Sequence, residues 1–219
     1  MHFDSINLLV SGVNGTQCPT PNDPTGCCSP CPTTGCVSIV AGGHFMITPT
    51  NYSGVTRSTE YVVGFQSPLS ASLGEHPANY AVAHPNCHAG FQAVIFRESN
   101  GTYSLQIIRT SDSDGVHPEC DGYPSQASAK TIIPSIVTTT LPRYKLKLTT
   151  KPDPELPSLF IVGDASFIDT VTNTTYTAHY GSFGRPSWYN NEARRFGVGG
   201  NRASSNGVFP FDNFVGSAQ

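Results

Sequence analysis

The sequence predicts an all-β chain folded as a two-sheet antiparallel β-sandwich, and three observations carry that expectation. Apolar residues alternate with period two rather than recurring every three or four positions, so no amphipathic helix emerges. Turn residues are spread along the chain, with 21 Gly and 18 Pro among 219 residues, as many short strands require. Charged residues make up only 12% of the chain, roughly half the usual ~25%, and Ser, Thr, Asn, Gly and Pro take their place. A chain of this length can bury a core without cross-links, and sandwiches of this size often form one unit. One domain over residues 1–219 is expected, with residues 16–36 as a Cys/Pro-rich insert.

Ile6–Val10 reads as a first strand, followed by the insert Thr16–Cys36. Val37–Ala41 and His44–Thr48 read as strands joined by a Gly42-Gly43 turn, and Thr59–Phe65 and Tyr80–His84 as the next two. The clearest unit is Gly90–Thr110. There, Phe91–Phe96 and Tyr103–Ile108 flank Asn100-Gly101, a pair that suits both positive-φ positions of a type I′ hairpin turn. Thr131–Thr140 is rich in β-branched residues, and Tyr144–Leu148 alternates with Tyr144, Leu146 and Leu148 on one face. Pro152–Pro157 reads as a connector. Leu159–Val162 and Ser166–Val171 bracket Gly163-Asp164 as a further hairpin, and Thr174–Tyr180, Phe196–Val198 and Val208–Val215 complete the set. About a dozen short strands with regularly spaced turn signals imply a sandwich.

The net charge is −3, from 12 Lys+Arg against 15 Asp+Glu. The nearest approach to a basic run is Arg194-Arg195 with Arg185 and Arg202 nearby, which argues against a nucleic-acid partner. No stretch approaches the ~20 apolar residues of a membrane helix, so no membrane insertion is expected. The N-terminus lacks the basic region of a signal peptide, which points to a mature chain, export without a signal, or release by lysis. The expected setting is extracellular or a virion surface.

Seven cysteines bear on that setting. Cys18, Cys27, Cys28, Cys31 and Cys36 fall in the insert, and Cys87 and Cys120 stand apart. Cys28–Cys31 is a C-x-x-C without the second C-x-x-C that a zinc ribbon wants. Disulfides, a structural zinc and free thiols are all open; adjacent Cys27-Cys28 amid Pro and Gly favours disulfides. His84-Pro85-Asn86-Cys87 and His117-Pro118-Glu119-Cys120 repeat H-P-x-C just outside the two ends of the Asn100-Gly101 hairpin. The hairpin thus carries Cys87 and Cys120 toward one sheet edge, where a bridge would close its base. The competing reading is a metal site of His84, Cys87, His88, His117 and Cys120.

Asp112, Asp114 and, further on, Asp121 lie in Gly-containing turns; such oxygen ligands suit calcium, and solvated turn aspartates are the plainer reading. Otherwise no cofactor is expected. Glu98, Glu119 and Glu192 supply carboxyls for glycosidase chemistry, but spacing pairs none of them. Arg185, Trp188, Tyr189, Asn190 and Asn191 compose a sugar-binding platform in which the indole covers a pyranose and the amides and Arg bond its hydroxyls; the alternative is a loop anchor packed on the sandwich edge. N-x-S/T occurs at Asn14, Asn51, Asn100 and Asn173, each a glycan acceptor in a eukaryotic secreted chain.

From Tyr144 onward the chain resembles the C-terminal half of concanavalin A-like (laminin-G-like) jelly rolls. The residues that carry this are Tyr144-x-Leu146-x-Leu148, Leu159-Phe160-Ile161-Val162-Gly163-Asp164, and the closing Gly207-Val208-Phe209-Pro210-Phe211-Asp212-Asn213-Phe214. The likeness covers about a third of the chain. It implies a two-sheet jelly roll that binds glycans or partner proteins. A uronate-cleaving subgroup of jelly rolls carries an Arg/Glu strand, then Q-I-H, then Y-x-K-x-G. Here Arg57-Ser58-Thr59-Glu60, Gln106-Ile107-Ile108 and Tyr176-Thr177-Ala178-His179 are similar. Ile108 stands where that group has His, and Ala178 where it has Lys. On this resemblance Gln106, Tyr176, His179 and Tyr180 would supply lyase chemistry.

Three functions follow as expectations. The first is a non-enzymatic surface module engaging glycans or neighbouring subunits, with assembly of like copies into a homo-oligomer left open. The second is a polysaccharide lyase or glycoside hydrolase, and the third a purely structural virion or appendage subunit. On the disulfide reading, intact mass under non-reducing conditions is lowered by about 2 Da per bridge, with at most one alkylatable thiol and no bound metal. Several free thiols after chelation would sink that reading.

Overall fold

The computed structural model describes residues 2–3, 9–12, 17–18, 29–30, 37–39, 42–47, 55–83, 90–110, 125–139, 141–185, 189, 195–202 and 209–219. These residues form two antiparallel sheets. The first contains β1 (His2–Phe3), β4 (Ser29–Pro30), β5 (Val37–Ile39), β7 (Arg57–Val63), β13 (Tyr144–Pro152), β14 (Phe160–Asp169), β15 (Thr175–Gly184) and β17 (Phe209–Ala218). The second contains β2 (Leu9–Gly12), β3 (Gln17–Cys18), β6 (Gly42–Ile47), β8 (His76–Ala83), β9 (Gly90–Arg97), β10 (Tyr103–Arg109), β11 (Gln126–Ala127), β12 (Thr131–Ile133) and β16 (Arg195–Arg202). The first runs in the order β15-β14-β13-β7-β17-β5-β4, the second β11-β10-β9-β8-β16-β6-β2-β3. β1 lies on β17, and β12 on β10.

Alternation builds the core. Tyr61 and Val63 of β7, Tyr144, Leu146 and Leu148 of β13, and Phe167 of β14 point inward from the first sheet. Phe91, Ala93 and Ile95 of β9, Tyr103, Leu105 and Ile107 of β10, and Phe196 and Val198 of β16 meet them. Period two then sends each intervening residue to an outer face. Two side chains tie the layers together. Asn79 on β8 donates from Nδ2 to the carbonyls of Thr59 (3.0 Å) and Leu146 (2.9 Å) on the opposite sheet. Tyr61 Oη donates back across the core to Ala78 O at 3.1 Å, and burial raises its phenol far above the ordinary range.

The expected hairpin about Asn100-Gly101 is present, with β9 and β10 in register from Tyr103↔Arg97 to Arg109↔Phe91. Its turn is not the expected type I′: Gly101 takes φ 89° but Asn100 does not enter the positive-φ region, and Gly101 N donates to Glu98 O at 3.0 Å. Gly163-Asp164 does not turn the chain. β14 runs unbroken through it, and the turn comes after Asp169, where Asn173 takes φ 58°. Gly163 instead sits where a Cβ would come within 3.2 Å of Ile107 and 3.3 Å of Phe183, so its role is close packing between sheets. Gly42 and Gly43 likewise lie inside β6 rather than in a turn. Of Thr131–Thr140, Thr131–Ile133 is the strand among the described residues 131–139.

Segment 125–133 closes one side of the sandwich. Ser128 exchanges bonds with Ile107 of β10, through Ser128 N to Ile107 O (2.8 Å) and Ile107 N to Ser128 Oγ (3.0 Å). Toward the other sheet, Thr131 Oγ1 donates to Thr177 O (2.6 Å) and Gly184 N to Gln126 Oε1 (2.9 Å) on β15. Exposed strand edges invite pairing with other chains, and these bonds occupy part of this one.

The pole where β7 ends is locked by Arg143. Its Nε and Nη2 form a two-pronged bond to Asp169 at 3.0 and 2.7 Å. That guanidinium, helped by the amides of Val171 and Thr172, holds the Asp169 carboxyl well below the usual carboxylate range.

Two outcomes follow. A Cβ at position 216 would stand 2.5 Å from the Phe196 ring, so Gly216→Ala overpacks the core; a loss of about 1–3 kcal/mol, or roughly 2–12 °C in Tm, is expected in thermal unfolding. The Asp169 pKa is lower folded than unfolded, so the unfolded chain binds the extra proton. Its contribution is present above the unfolded value of about 4 and fades as pH falls below it. Asp169→Asn should flatten that acid limb in urea titrations run at pH 2–5, and an unchanged limb would refute the assignment.

Candidate functional site

The residues that the uronate-cleaving resemblance singles out do not converge. Gln106 lies on the outer face of the second sheet, its Nε2 donating to Ser128 O at 2.9 Å. His179 lies on the outer face of the first, with Nδ1 2.7 Å from Asp164 Oδ1. Tyr176 and Tyr180 turn the other way and pack against the core, the Tyr180 ring 4.1 Å from that of Phe183. The reason is alternation. Neighbours on a strand point to opposite faces, so His179 cannot share a site with Tyr180, and β10 and β15 belong to different sheets. Arg57 and Glu60 part in the same way: Arg57 is buried, while Glu60 faces out between Lys145 (3.1 Å) and Lys147 (3.9 Å).

Tyr189 is fully buried and is therefore corrected from platform to anchor. Its Oη donates to Val55 O at 2.9 Å, its ring meets Phe91 edge-on at 5.6 Å, and the Arg57 guanidinium lies 4.8 Å over it. Arg57 Nη1 also donates to Tyr189 O at 3.3 Å. Arg185 is half-buried, 5.6 Å from the same ring. Trp188, Asn190, Asn191, Asp112, Asp114, Asp121, Cys27, Cys28, Cys31, Cys36, Cys87 and Cys120 lie outside the described residues, and Cys18 is described only as backbone of β3. Among the described residues, no three of His, Cys, Asp and Glu stand together as metal ligands. No helix among them is long and apolar enough to cross a membrane.

The two outer faces differ in character. That of the first sheet is an open ladder of polar side chains. Register aligns Glu60, Lys147, Ser166 and Thr177 in one row and Ser58, Thr149, Asp164 and His179 in the next. A shallow depression of about 470 Å³ lies among Lys147, Thr149, Asp164, Ser166, Thr177 and His179. No Phe, Tyr or Trp lines it; Asp164 is bonded to His179, and Lys147 pairs with Glu60 beside it.

The outer face of the second sheet is largely buried and amphipathic. Because Asn79 points inward, Ala78 and Tyr80 point outward. Register sets Gly197, Tyr80, Gln92 and Ile108 in one row and Gly199, Ala78, Val94 and Gln106 in the next. Gly197 and Gly199 present no side chain beside Tyr80 and Ala78. Ala78, Val94 and Ser104 are fully buried although they face away from the core, and Tyr80, Phe96, Gln106 and Ile108 are half-buried. Burial pushes the Tyr80 phenol up to about 12, so it stays a neutral donor at physiological pH. His76 tilts against Phe96 at 4.9 Å and holds Gly74 O at 2.8 Å through Nδ1. Burial lowers its pKa, which keeps the ring neutral with the proton on Nδ1. Gln92 is 5% exposed, and its Oε1 has no hydrogen-bond partner among the described residues. A buried acceptor left in that state costs about 1–3 kcal/mol.

Sequence reasoning missed Tyr80, Gln92 and His76 as a group. The available signal was a lone Gln inside the apolar run Phe91–Phe96 and the glycines at 197 and 199, which mean little until β16, β8 and β9 are seen side by side.

Solved structures similar to this chain include the following three. A family 7 alginate lyase, A1-II′, in complex with substrate matches 96% of this chain and 90% of its own at 11% identity, with a TM-score of 0.56. The metal-free carbohydrate recognition domain of Emp46p matches 84% and 82% at 10% identity and 0.55. Lectin I-B4 from Griffonia simplicifolia matches 99% and 98% at 9% identity and 0.53. No protein-family model and no curated protein matches the chain in sequence. With two antiparallel sheets sharing one core, this likeness establishes the fold as a concanavalin A-like jelly roll.

Proposed function

We propose that this protein is a carbohydrate-binding module whose site is the amphipathic outer face of the second sheet. The observation that carries it is the buried, unpartnered Gln92 Oε1 beside the Tyr80 phenol, on a face floored by glycine. A pyranose offers what this surface lacks. Its hydroxyls can donate to Gln92 Oε1, while its apolar face suits aromatic surface such as Phe96. The likeness of the fold to lectins and to an alginate lyase supports a carbohydrate ligand without choosing which one. The charge-poor composition is in keeping with an extracellular setting.

Binding is favoured over cleavage by spacing. Tyr80 and His76 lie four residues apart on one extended strand, about 13 Å, too far to move protons at one sugar carbon. Glu75, next to His76 in sequence, accepts from Ser70 N at 2.7 Å. Glu98 is bonded to Ser104 Oγ (2.6 Å) and Lys130 Nζ (2.8 Å), and the Lys130 bond leads in holding it below the usual carboxylate range.

Gln92→Leu tests this reading, because it removes a costly buried acceptor and the proposed sugar contact at once. Tm should rise, while affinity for the best oligosaccharide on a glycan array falls about tenfold, the equivalent of ~1.4 kcal/mol. Tyr80→Ala should weaken the same interaction at least as much. Unchanged affinity in both folded variants, or no oligosaccharide retained by the parent chain, would overturn the proposal. Release of unsaturated sugars from a uronate polymer would restore the lyase alternative.

A further inference from the structure

We propose that Asn100 and Asn173 are acceptors for N-linked oligosaccharide and that they gather the sugars at one pole of the sandwich. This rests on observations separate from the Tyr80–Gln92 face. Each asparagine begins an N-x-T triplet without proline, Asn100-Gly101-Thr102 and Asn173-Thr174-Thr175. Each sits exposed at a hairpin tip, the first between β9 and β10 and the second between β14 and β15. Asn14 and Asn51, the other two triplets, lie outside the described residues.

Topology brings the two tips to the same end. β7 finishes at Val63, and Arg143 N donates to Val63 O at 3.0 Å while Thr170 N donates to Arg143 O at 3.2 Å. The β14–β15 turn holding Asn173 is thereby attached to that end. The loop following β7 reaches Leu69, whose carbonyl accepts from Arg97 Nη1 at 2.9 Å, and Arg97 ends the strand that leads into Asn100.

At Asn100, the side chain is already arranged for the reaction. Its Oδ1 accepts from Thr102 Oγ1 at 2.7 Å and from Thr102 N at 3.0 Å. Both bonds fall on the oxygen, and neither occupies Nδ2, the atom that would carry the sugar. In the transfer, Nδ2 bonds to the anomeric carbon of an oligosaccharide carried on a polyprenyl diphosphate. The carbon–oxygen bond to the diphosphate breaks, the bonding pair leaves on that oxygen, and one amide proton is lost to balance it.

A second feature marks this pole. Val137, Leu141 and Val171 are exposed around the Arg143–Asp169 lock, Val171 by 70%, and Val171 lies two residues from Asn173. A hydrophilic chain on Asn173 would screen this apolar rim from other molecules. The outer faces of both sheets would stay clear.

Turn chemistry alone also favours Asn at these positions, so the experiment must separate the two causes. The full chain, given a secretory leader, is expressed in a eukaryotic cell, and the purified product is deglycosylated enzymatically in heavy-oxygen water. Peptide mapping should find labelled aspartate at 100 and 173. Thr102→Val should abolish labelling at Asn100 only, and Thr175→Val at Asn173 only. Asn100→Asp and Asn173→Asp should lose the sugar while keeping the parent Tm of the deglycosylated chain, and the double variant should aggregate at lower concentration. Unlabelled asparagine at either position in the folded, secreted parent chain would overturn the assignment for that position.

Discussion

Asn79 sets the polarity of the molecule. Its amide crosses the core and donates to two carbonyls of the opposite sheet, Thr59 and Leu146, which fixes β8 against the β7–β13 pair. A register slip of one residue would drive Tyr80 into the core and Asn79 out of it. The Tyr61 phenol reinforces the same constraint by reaching Ala78 O from the other sheet. With Asn79 committed inward, Ala78 and Tyr80 are committed outward, and the amphipathic face between β16 and β10 inherits its composition from that choice.

Close approach of the layers is the second condition. Gly216 lies against the Phe196 ring, and Gly163 lies under Ile107 and Phe183. At 216 a side chain would collide with the ring, and at 163 it would crowd Ile107 and Phe183, so glycine here serves packing and not turning. At one pole Tyr189 plugs the sandwich under the Arg57 guanidinium; at the other, Arg143 and Asp169 clamp the β14–β15 turn. The two outer faces can then diverge in character without weakening the interior. One carries polar side chains bonded to one another, such as His179 to Asp164, the other a buried amide oxygen that the described fold leaves unmet.

Much of the fold was legible because strand periodicity is local. The alternation of Tyr144, Leu146 and Leu148, and the Asn-Gly turn between two apolar runs, depend only on neighbours a few residues away. The errors are equally instructive. Gly163-Asp164 carries the chemistry of a turn, yet the glycine answers a packing demand from Ile107 and Phe183, residues distant in sequence. Tyr189 beside a tryptophan and two amides looks like a binding platform until Arg57 and Phe91 close over it. Gln106, Tyr176 and His179 fit the order along the chain that the uronate-cleaving resemblance implies, but order does not say which face a side chain takes or which sheet a strand joins.

An all-β chain, the central hairpin, the inward stripe of β13 and the shortage of charge can be read from residue type and period alone. Which strands are neighbours cannot, and neither can the meeting of Tyr80 with Gln92 and Gly197, the burial of Tyr189 or the parting of His179 from Tyr180. Cross-strand contacts join residues far apart in the chain, and burial and unmet hydrogen bonds are properties of the assembled sheets and of no single segment.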